Sequence, residues 1–544
     1  MSAVPALIDV QGNPLRATYV REHGEQTYPT AFTAADLRRQ ETYAWRPPYT
    51  SGESETLYER TLAGARARDL VRNDPHGLSG TNVIVDMLIG AGLQWAPQPN
   101  AYALGLDPRK SADRKKLRDL ARALKSEWQI FASDPRKLND AQRRLTFNGQ
   151  LRLMARTWAT LNEATAFLTW KKVAGAKYAT CLRVVDPDRL SNPMGQADTL
   201  RLRGGIEFDD DGVPLAYHVR NGHPSDWFRY AQLLQWTRIP ARTQWGRPVF
   251  IHVFEGDRED QSRAISQMVA SMTRHRMVGK AADAEIANMV VNALFAAFVY
   301  SNLPIADATQ AFAPGQMTWM DKRAEYLAKN PVHLNGVRIP VLPPGDEVKI
   351  NAAARNTASF ATMQTAFLQA IAASRGVSYE QISMDWSKVN YSSARAALNE
   401  VWRSVQRKLS QFTDQCVMPI CYAVIEEAFD RGYIKPPKGA PDFWDMPAAY
   451  LCGRWIGPAR GYVDPEKEAQ AAGVRMGNLT STLEQECAEA GRDWEDVLLQ
   501  ASEEEDVIKS FGLTRQLSSV GRIEPDASDL TASGRDAKPA QEAA

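Results

Sequence analysis

The sequence predicts an α+β chain in which a mixed helix-and-strand half precedes long helices. Three observations carry that expectation. Between residues 164 and 255 the runs ATAFLTW, YATCLRVVD, GGIEFDDDGVPLAYHVR and PVFIHVFE are rich in β-branched and aromatic residues, with Gly, Pro and Asp between them, which is strand and turn patterning. Residues 261–300 instead repeat apolar side chains every three or four positions, the period of one helix face. Further on, Leu398, Trp402, Val405, Leu409, Phe412 and Cys416 alternate steps of four and three, the seam of helices packed side by side.

Taken in order, residues 1–53 are rich in Pro, Thr, Tyr and Arg without a sustained period and read as an extended arm. From residue 54 to about 90 the pattern is helical, with Arg60, Arg66, Arg68 and Arg72 around one helix and NVIVDMLIG as a buried apolar segment. Gly90 and Gly92 break it, and LQWAPQPN reads as a short strand leading into a turn. In residues 107–145, Leu117, Leu120, Ala121, Leu124 and Trp128 fall at helical spacing. Arg109, Lys110, Arg114, Lys115, Lys116 and Arg118 crowd the start of that helix; cations there oppose the macrodipole, and a solvated face is expected. A further helix runs from Thr146 to about Asn162. Asp209, Asp210 and Asp211 before Gly212 are what a tight hairpin turn requires rather than a cation site.

The second half is elongated. Ile265, Met268, Val269 and Met272 make one stripe, and Ile286, Met289, Val290, Ala293, Leu294 and Ala297 another, with Gly279 between them as a possible kink. Some forty helical residues span roughly 60 Å, longer than one globular core needs. Residues 301–356 read as a small mixed segment with two or three strands and a helix near 324–329. A helix at 357–375 places Phe360, Met363, Phe367, Leu368 and Ile371 on one face, and Gly376 ends it. ISMDWSKVNYSSAR leads into the third long helix, which Pro419 should bend. Residues 436–465 read as loop, 465–510 as helices with a solvated acidic run at 503–506, and 517–544 as a disordered tail.

Charge and motifs exclude several functions. Lys plus Arg is 65 against 64 Asp plus Glu, a net charge of +1; a protein that gripped DNA over its whole surface would be clearly basic. Cys181, Cys416, Cys421, Cys452 and Cys487 form no Cys-x-x-Cys pair, so neither a disulfide framework nor a zinc knuckle is expected. MSAVPALIDVQGNPLR lacks the pattern of a signal peptide, and no apolar run reaches the ~18 residues of a membrane span. No phosphate-cradling loop, nucleophile elbow or H-E-x-x-H occurs. The closest histidines, His218 and His223, lack an acidic partner at metal-ligand spacing. No catalytic residue, cofactor or metal is therefore expected, and the chain does not read as an enzyme.

Seven segments, in chain order across residues 54–510, resemble the lambda-type family of tailed-phage portal proteins. They are RARDLVRNDPHGLSGTNVIVDMLIGAG, LRVVDPDRLSNP, HVFEGDREDQSRAIS, FAPGQMTWM, LPPGDEVKI, RGVSYEQISMDWSKVNYSSARAALNE and DPEKEAQAAGVRMGNLTS. The NYSSARAALNE stretch with the loop before it is the most specific of them. The resemblance implies a portal fold: an α/β wing over 54–260, stem helices at 261–300 and 357–383, and a clip at 301–356 between them. A tunnel loop at 384–391 follows, then a kinked long helix and wing continuation at 392–465 and crown-like helices at 466–516.

It also implies partners. These are further copies in a ring of about twelve, double-stranded viral DNA in the channel, the large terminase subunit, the major capsid protein and scaffold, and a head–tail adaptor. The product would be a virion component at one capsid vertex, made in the host cytoplasm, with no membrane. Asp385, Trp386, Ser387, Lys388, Val389 and Asn390 would face the channel. Lys388 would lie near DNA phosphates with Trp386 bracing the loop, or both would make inter-subunit contacts. Met268, Met272, Met289, Phe360, Phe367, Trp402, Val405 and Leu409 would pack subunits together.

Overall fold

The structure is a computed structural model, and it describes residues 44–226, 228, 230–295, 325, 329, 332–334, 337–339, 357–387, 389–461 and 464–512. Most of 301–356, the arm before residue 44 and the tail after 512 lie outside the described residues, so the expectations placed there, FAPGQMTWM and LPPGDEVKI included, are not addressed by it.

Helix α1 (Gly52–Asn73) is followed by α2 (Pro75–Leu88). Asp74 starts α2: its carboxylate accepts the Gly77 N–H at 2.6 Å and Pro75 fills the first turn, a position where proline loses nothing. After the glycine break comes β1 (Gln94–Pro97), then α3 (Ser111–Ala132). On α3, Leu120, Leu124, Trp128 and Phe131 are buried, while the six cations around its start are exposed. Helix α4 (Phe147–Leu161) is capped by the Thr146 hydroxyl and ends on Asn162 at φ 62°; asparagine tolerates that left-handed turn better than most side chains.

Strands β2 (Glu163–Trp170) and β3 (Thr180–Val185) come next, then β4 (Leu202–Arg203), β5 (Ile206–Phe208), β6 (Pro214–Arg220) and β7 (Trp236–Pro240) as a four-stranded meander, and β8 (Phe250–Phe254). β8 returns to pair with β2, making an antiparallel sheet of order β3-β2-β8. Alternation sorts its faces. Ala164, Ala166, Leu168, Ile251 and Val253 enter the main core, whereas Phe167 and Phe250 pack on the second cluster, where Phe250 stacks on Tyr217 with centroids 4.0 Å apart. The Asp209 carboxylate accepts the N–H groups of Asp211 and Val213, and Gly212 sits at φ 81°, which is the hairpin the triple aspartate foretold.

The first long helix, α5 (Val269–Phe295), starts later than the expected 261, and it runs through Gly279 as one α-helix. Residues before it are held by side-chain bonds instead of a helical ladder: Ser266 donates to the Thr160 carbonyl at 2.6 Å and Arg263 is fully buried. A short ribbon, β9 (Val332–Leu334) with β10 (Val337–Ile339), is described within 301–356. Helix α6 (Thr357–Arg375) packs against α5. It is followed by α7 (Tyr379–Ser383) and α8 (Tyr391–Phe412).

At Pro419 the chain does not break. One π turn (Thr413–Val417), closed by Met418 N–H to the Thr413 carbonyl, joins α8 to α9 (Met418–Asp430), so the wider turn absorbs the proline. Residues 436–465, expected as loop, contain α10 (Pro447–Leu451) and β11 (Gly453–Ile456), and β11 pairs antiparallel with β1. Gly453 permits it, because a Cβ there would lie 2.5 Å from the Ala96 carbonyl. Helices α11 (Pro465–Gly477), α12 (Leu483–Glu489) and α13 (Trp494–Ser510) complete the described chain.

One main core joins α2, α3, α4, the three-stranded sheet, the end of α6, and α8–α9. Trp95, Trp128, Phe131, Phe147 and Trp455 form its aromatic centre, with Trp128 edge-on to Phe147 at 5.0 Å and Trp95 stacked on Trp455 at 5.9 Å. Cys181, Cys416 and Cys421 are buried and free, and burial pushes all three thiols up.

Candidate functional site: the connection before α8 and the helices beside it

The expected tunnel loop is built by local chemistry at both ends. Gly376 ends α6 at φ 68°, and the Ser378 hydroxyl and Gln381 side chain form a reciprocal capping box that starts α7. Met384 then turns left-handed at φ 56°. Beyond it the Ser383 hydroxyl accepts Asp385 N–H at 3.2 Å, and the Asp385 carboxylate accepts Ser387 N–H at 3.0 Å. Asp385, Trp386, Ser387 and Asn390 are exposed and Val389 is half-buried; Lys388 lies outside the described residues. Trp386 lines a groove of about 380 Å³ with Met384, Leu398, Trp402 and Met87. The segment thus presents polar atoms outward while its one indole borders α2 and α8.

The residues expected to pack subunits divide sharply. Met268, Val405 and Leu409 are buried inside this chain. Met272, Phe360, Phe367 and Trp402 are half-buried. Met289 is 41 % exposed, beside Ile286 at 59 % and Val290 at 53 % on the same helix. That stripe on α5 is an apolar surface left without cover by the described residues around it.

The base of α5 is fixed by a buried charge cluster that sequence reasoning missed. Glu163, at the start of β2, accepts from Arg60 at 2.7 Å, from Arg263 at 3.0 Å and from His252 at 2.7 Å. Arg263 also donates to the carbonyls of Leu190 and Pro187, both at 2.9 Å. Burial alone would push the Glu163 carboxyl up, but Arg263, Arg60 and His252 hold it well below the usual range. His252 is held below its ordinary value because burial outweighs Glu163. The only signal in the sequence was an arginine inside HVFEGDREDQSRAIS; its carboxylate partner lies a hundred positions away. A second buried set joins Arg247, Glu426 and Thr180.

The fold also gives the two histidines acidic neighbours that spacing along the chain concealed. His218 meets Glu207 at 2.6 Å, and His223 lies 3.5 Å from Asp188. Asp186, Asp188 and His223 converge closely enough to offer a metal three ligand atoms. Arg68 is bonded to both carboxylates, at 3.1 and 2.6 Å, so a guanidinium already holds the charge a cation would neutralise.

This arrangement contains helices, a short polar connection and salt-bridged anchors. Comparison with known proteins places it. The family described as phage portal protein, lambda family, matches residues 38–408, and the chain belongs to that family. It is similar to a portal protein of Escherichia phage N15, 31 % identical over 521 residues that cover 94 % of each chain. It is also similar to portal protein B of Escherichia phage lambda, 30 % identical over 482 residues, covering 86 % of this chain and 88 % of that one. Among solved structures, the neck of an empty gene transfer agent particle computed with C6 symmetry aligns at 12 % identity and TM-score 0.39, over 78 % of this chain and 93 % of that one. No helix among the described residues is long and apolar enough to cross a membrane.

Proposed function

We propose that this chain is one subunit of a closed ring of about twelve copies, set at one capsid vertex, through which double-stranded viral DNA enters and leaves. Family membership supports the reading, and the exposed Ile286, Met289 and Val290 stripe on α5 is the observation that carries it. An apolar stripe on a long helix is covered when copies stand side by side in a heterologous, closing arrangement. In this reading α5 and α6 form the stem, the segment between them the clip, residues 54–260 the wing, and the helices after residue 392 the remaining wing and crown. Residues 384–391 line the channel. A passage for sliding DNA needs weak, repeated contacts, because dense phosphate neutralisation would trap the duplex; a net charge of +1 suits that.

The ring acts by geometry rather than by bond-making. Energy for packaging would come from the large terminase subunit docked on the clip, and the ring would meet the major capsid protein, scaffold and head–tail adaptor on its other surfaces. Native mass spectrometry with negative-stain imaging of the purified chain tests the assembly. A closed ring of about twelve with a central hole is expected, whereas a compact dimer with an enclosed pocket would overturn the proposal.

A further inference from the structure

Helix α3 carries a stripe of cations that its own chain fills only halfway. Arg114, Arg118, Arg122 and Lys125 follow one another at steps of four, four and three, so they line one helix face. The far half of that face takes carboxylates from the start of α13. Lys125 Nζ meets Asp493 at 2.5 Å and Asp496 at 2.7 Å, and Arg122 meets Glu495 at 3.4 Å. On the near half Arg114 and Arg118, with Lys115 beside them, are exposed and have no ion pair among the described residues. Lys116 is answered by Asp113 at 2.9 Å, and Asp119 is the one other acid against the six cations of residues 109–119. Like charges at i,i+4 repel, and cations in the first turns oppose the macrodipole. Helix α3 bears both costs, and it starts at Lys110 without a side-chain cap.

Helix α13 has the opposite excess. Glu503, Glu504, Glu505 and Asp506 are exposed, and the one cation of the helix, Lys509, bonds Glu505 at 2.9 Å. Glu503 and Asp506 have no ion pair among the described residues. No residue of α13 is buried, and Leu499 and Val507 stand exposed beside the acids, with Phe511 exposed at the helix end. The acidic run begins eight residues beyond Glu495, ~12 Å along the axis, and none of its carboxylates pairs with α3 of the same chain.

We infer that, in the assembled ring, the acidic run of α13 in one copy lies along the near half of the α3 stripe in the next copy. The inference rests on the ring reading and names one contact within it. The two patches complement each other but not themselves. Basic against basic would repel across a two-fold axis, so the contact is head-to-tail, the kind that closes a ring. It repeats between copies the chemistry that Arg122 and Lys125 already show within one. A DNA backbone would also answer the α3 cations, but it would leave the α13 acids unanswered; a second copy satisfies both.

The test uses the full chain and native mass spectrometry. Arg114→Glu with Arg118→Glu, and separately Glu503→Arg with Asp506→Arg, should each lower the assembled fraction by about tenfold or more through like-charge contact. All four sites are exposed, so the unfolding midpoint of the subunit should hold. The chain carrying all four changes should assemble again. In wild-type rings mixed from light and heavy-nitrogen chains, a zero-length carbodiimide should join Lys115 of one label to the 503–506 acids of the other. Rings unchanged by either reversal overturn this inference alone, as do cross-links confined to one label. So does a loss that the four changes together fail to restore, which would give the α3 cations to another partner such as DNA. No ring from the wild type would overturn the ring reading, and this contact with it.

Discussion

Helices α5 and α8 carry apolar stripes that look alike as sequence, yet the fold treats them in opposite ways. Along α8 and toward α9, Val405 is buried, Leu409, Phe412 and Cys416 sit in the main core with α4 and the sheet, and Phe412 lies 5.8 Å from Trp158. On α5, Ile286, Met289 and Val290 stand exposed. Periodicity reports that a face must be covered; it does not say whether the cover comes from the same chain. Solvent exposure in the folded subunit makes that distinction.

The comparison predicts a hierarchy of effects. Phe412→Ala removes a fully buried ring and should cost the subunit about 3–5 kcal/mol, read as a lower denaturant midpoint at unchanged slope. Glu163→Gln leaves Arg60 and Arg263 short of their countercharge and should cost about 3–5 kcal/mol. A cost under ~1 kcal/mol would show that the cluster is not what anchors α5.

Acid should act through the same cluster. Glu163 is depressed in the fold, so its contribution is present above its ordinary value of 4.5 and is lost as pH falls through the lower folded value. His252 is also depressed, so from its ordinary 6.5 downward the unfolded chain takes up a proton that the fold refuses. Stability should therefore decline as pH drops below about 6.5, with a second loss at lower pH that Glu163→Gln lacks. A flat profile between pH 7 and 5 would contradict this sign.

Asp74→Ala, which removes the α2 cap, should cost about 1 kcal/mol by the same denaturant measurement. Smallest in the subunit and largest in the assembly is Met289→Ser with Ile286→Ser. Stability of the isolated chain should move by less than ~0.5 kcal/mol per site, while ring formation, followed by native mass spectrometry, should be lost. Retained rings would place the cover of α5 elsewhere.

Much of the fold was legible because local rules suffice for it. Thr146 and Asn162 bracket α4, the triple aspartate with Gly212 marks a hairpin, and alternating residues in β2 and β8 mark the strands. Strand β11 escaped notice because GRWI acquires strand character only by pairing with β1, far earlier in the chain. The start of α5 was misplaced because residues 262–266 are held by distant partners such as Glu163 and the Thr160 carbonyl. The connection before α8 was recognisable from Gly376 and the ISMDWSKVNYSSAR stretch that leads into the helix. The buried bond from Lys408 to the Arg375 carbonyl was not, since it joins residues 33 positions apart.

The sequence by itself determined the α+β class, the family and most helix and strand positions, because periodicity, caps and turn residues act within a few positions of one another. Only the tertiary structure decided which apolar faces are spent inside the subunit and which charges share a buried site. Burial and ion pairing are set by side chains brought together from remote parts of the chain, and no local pattern encodes that distance.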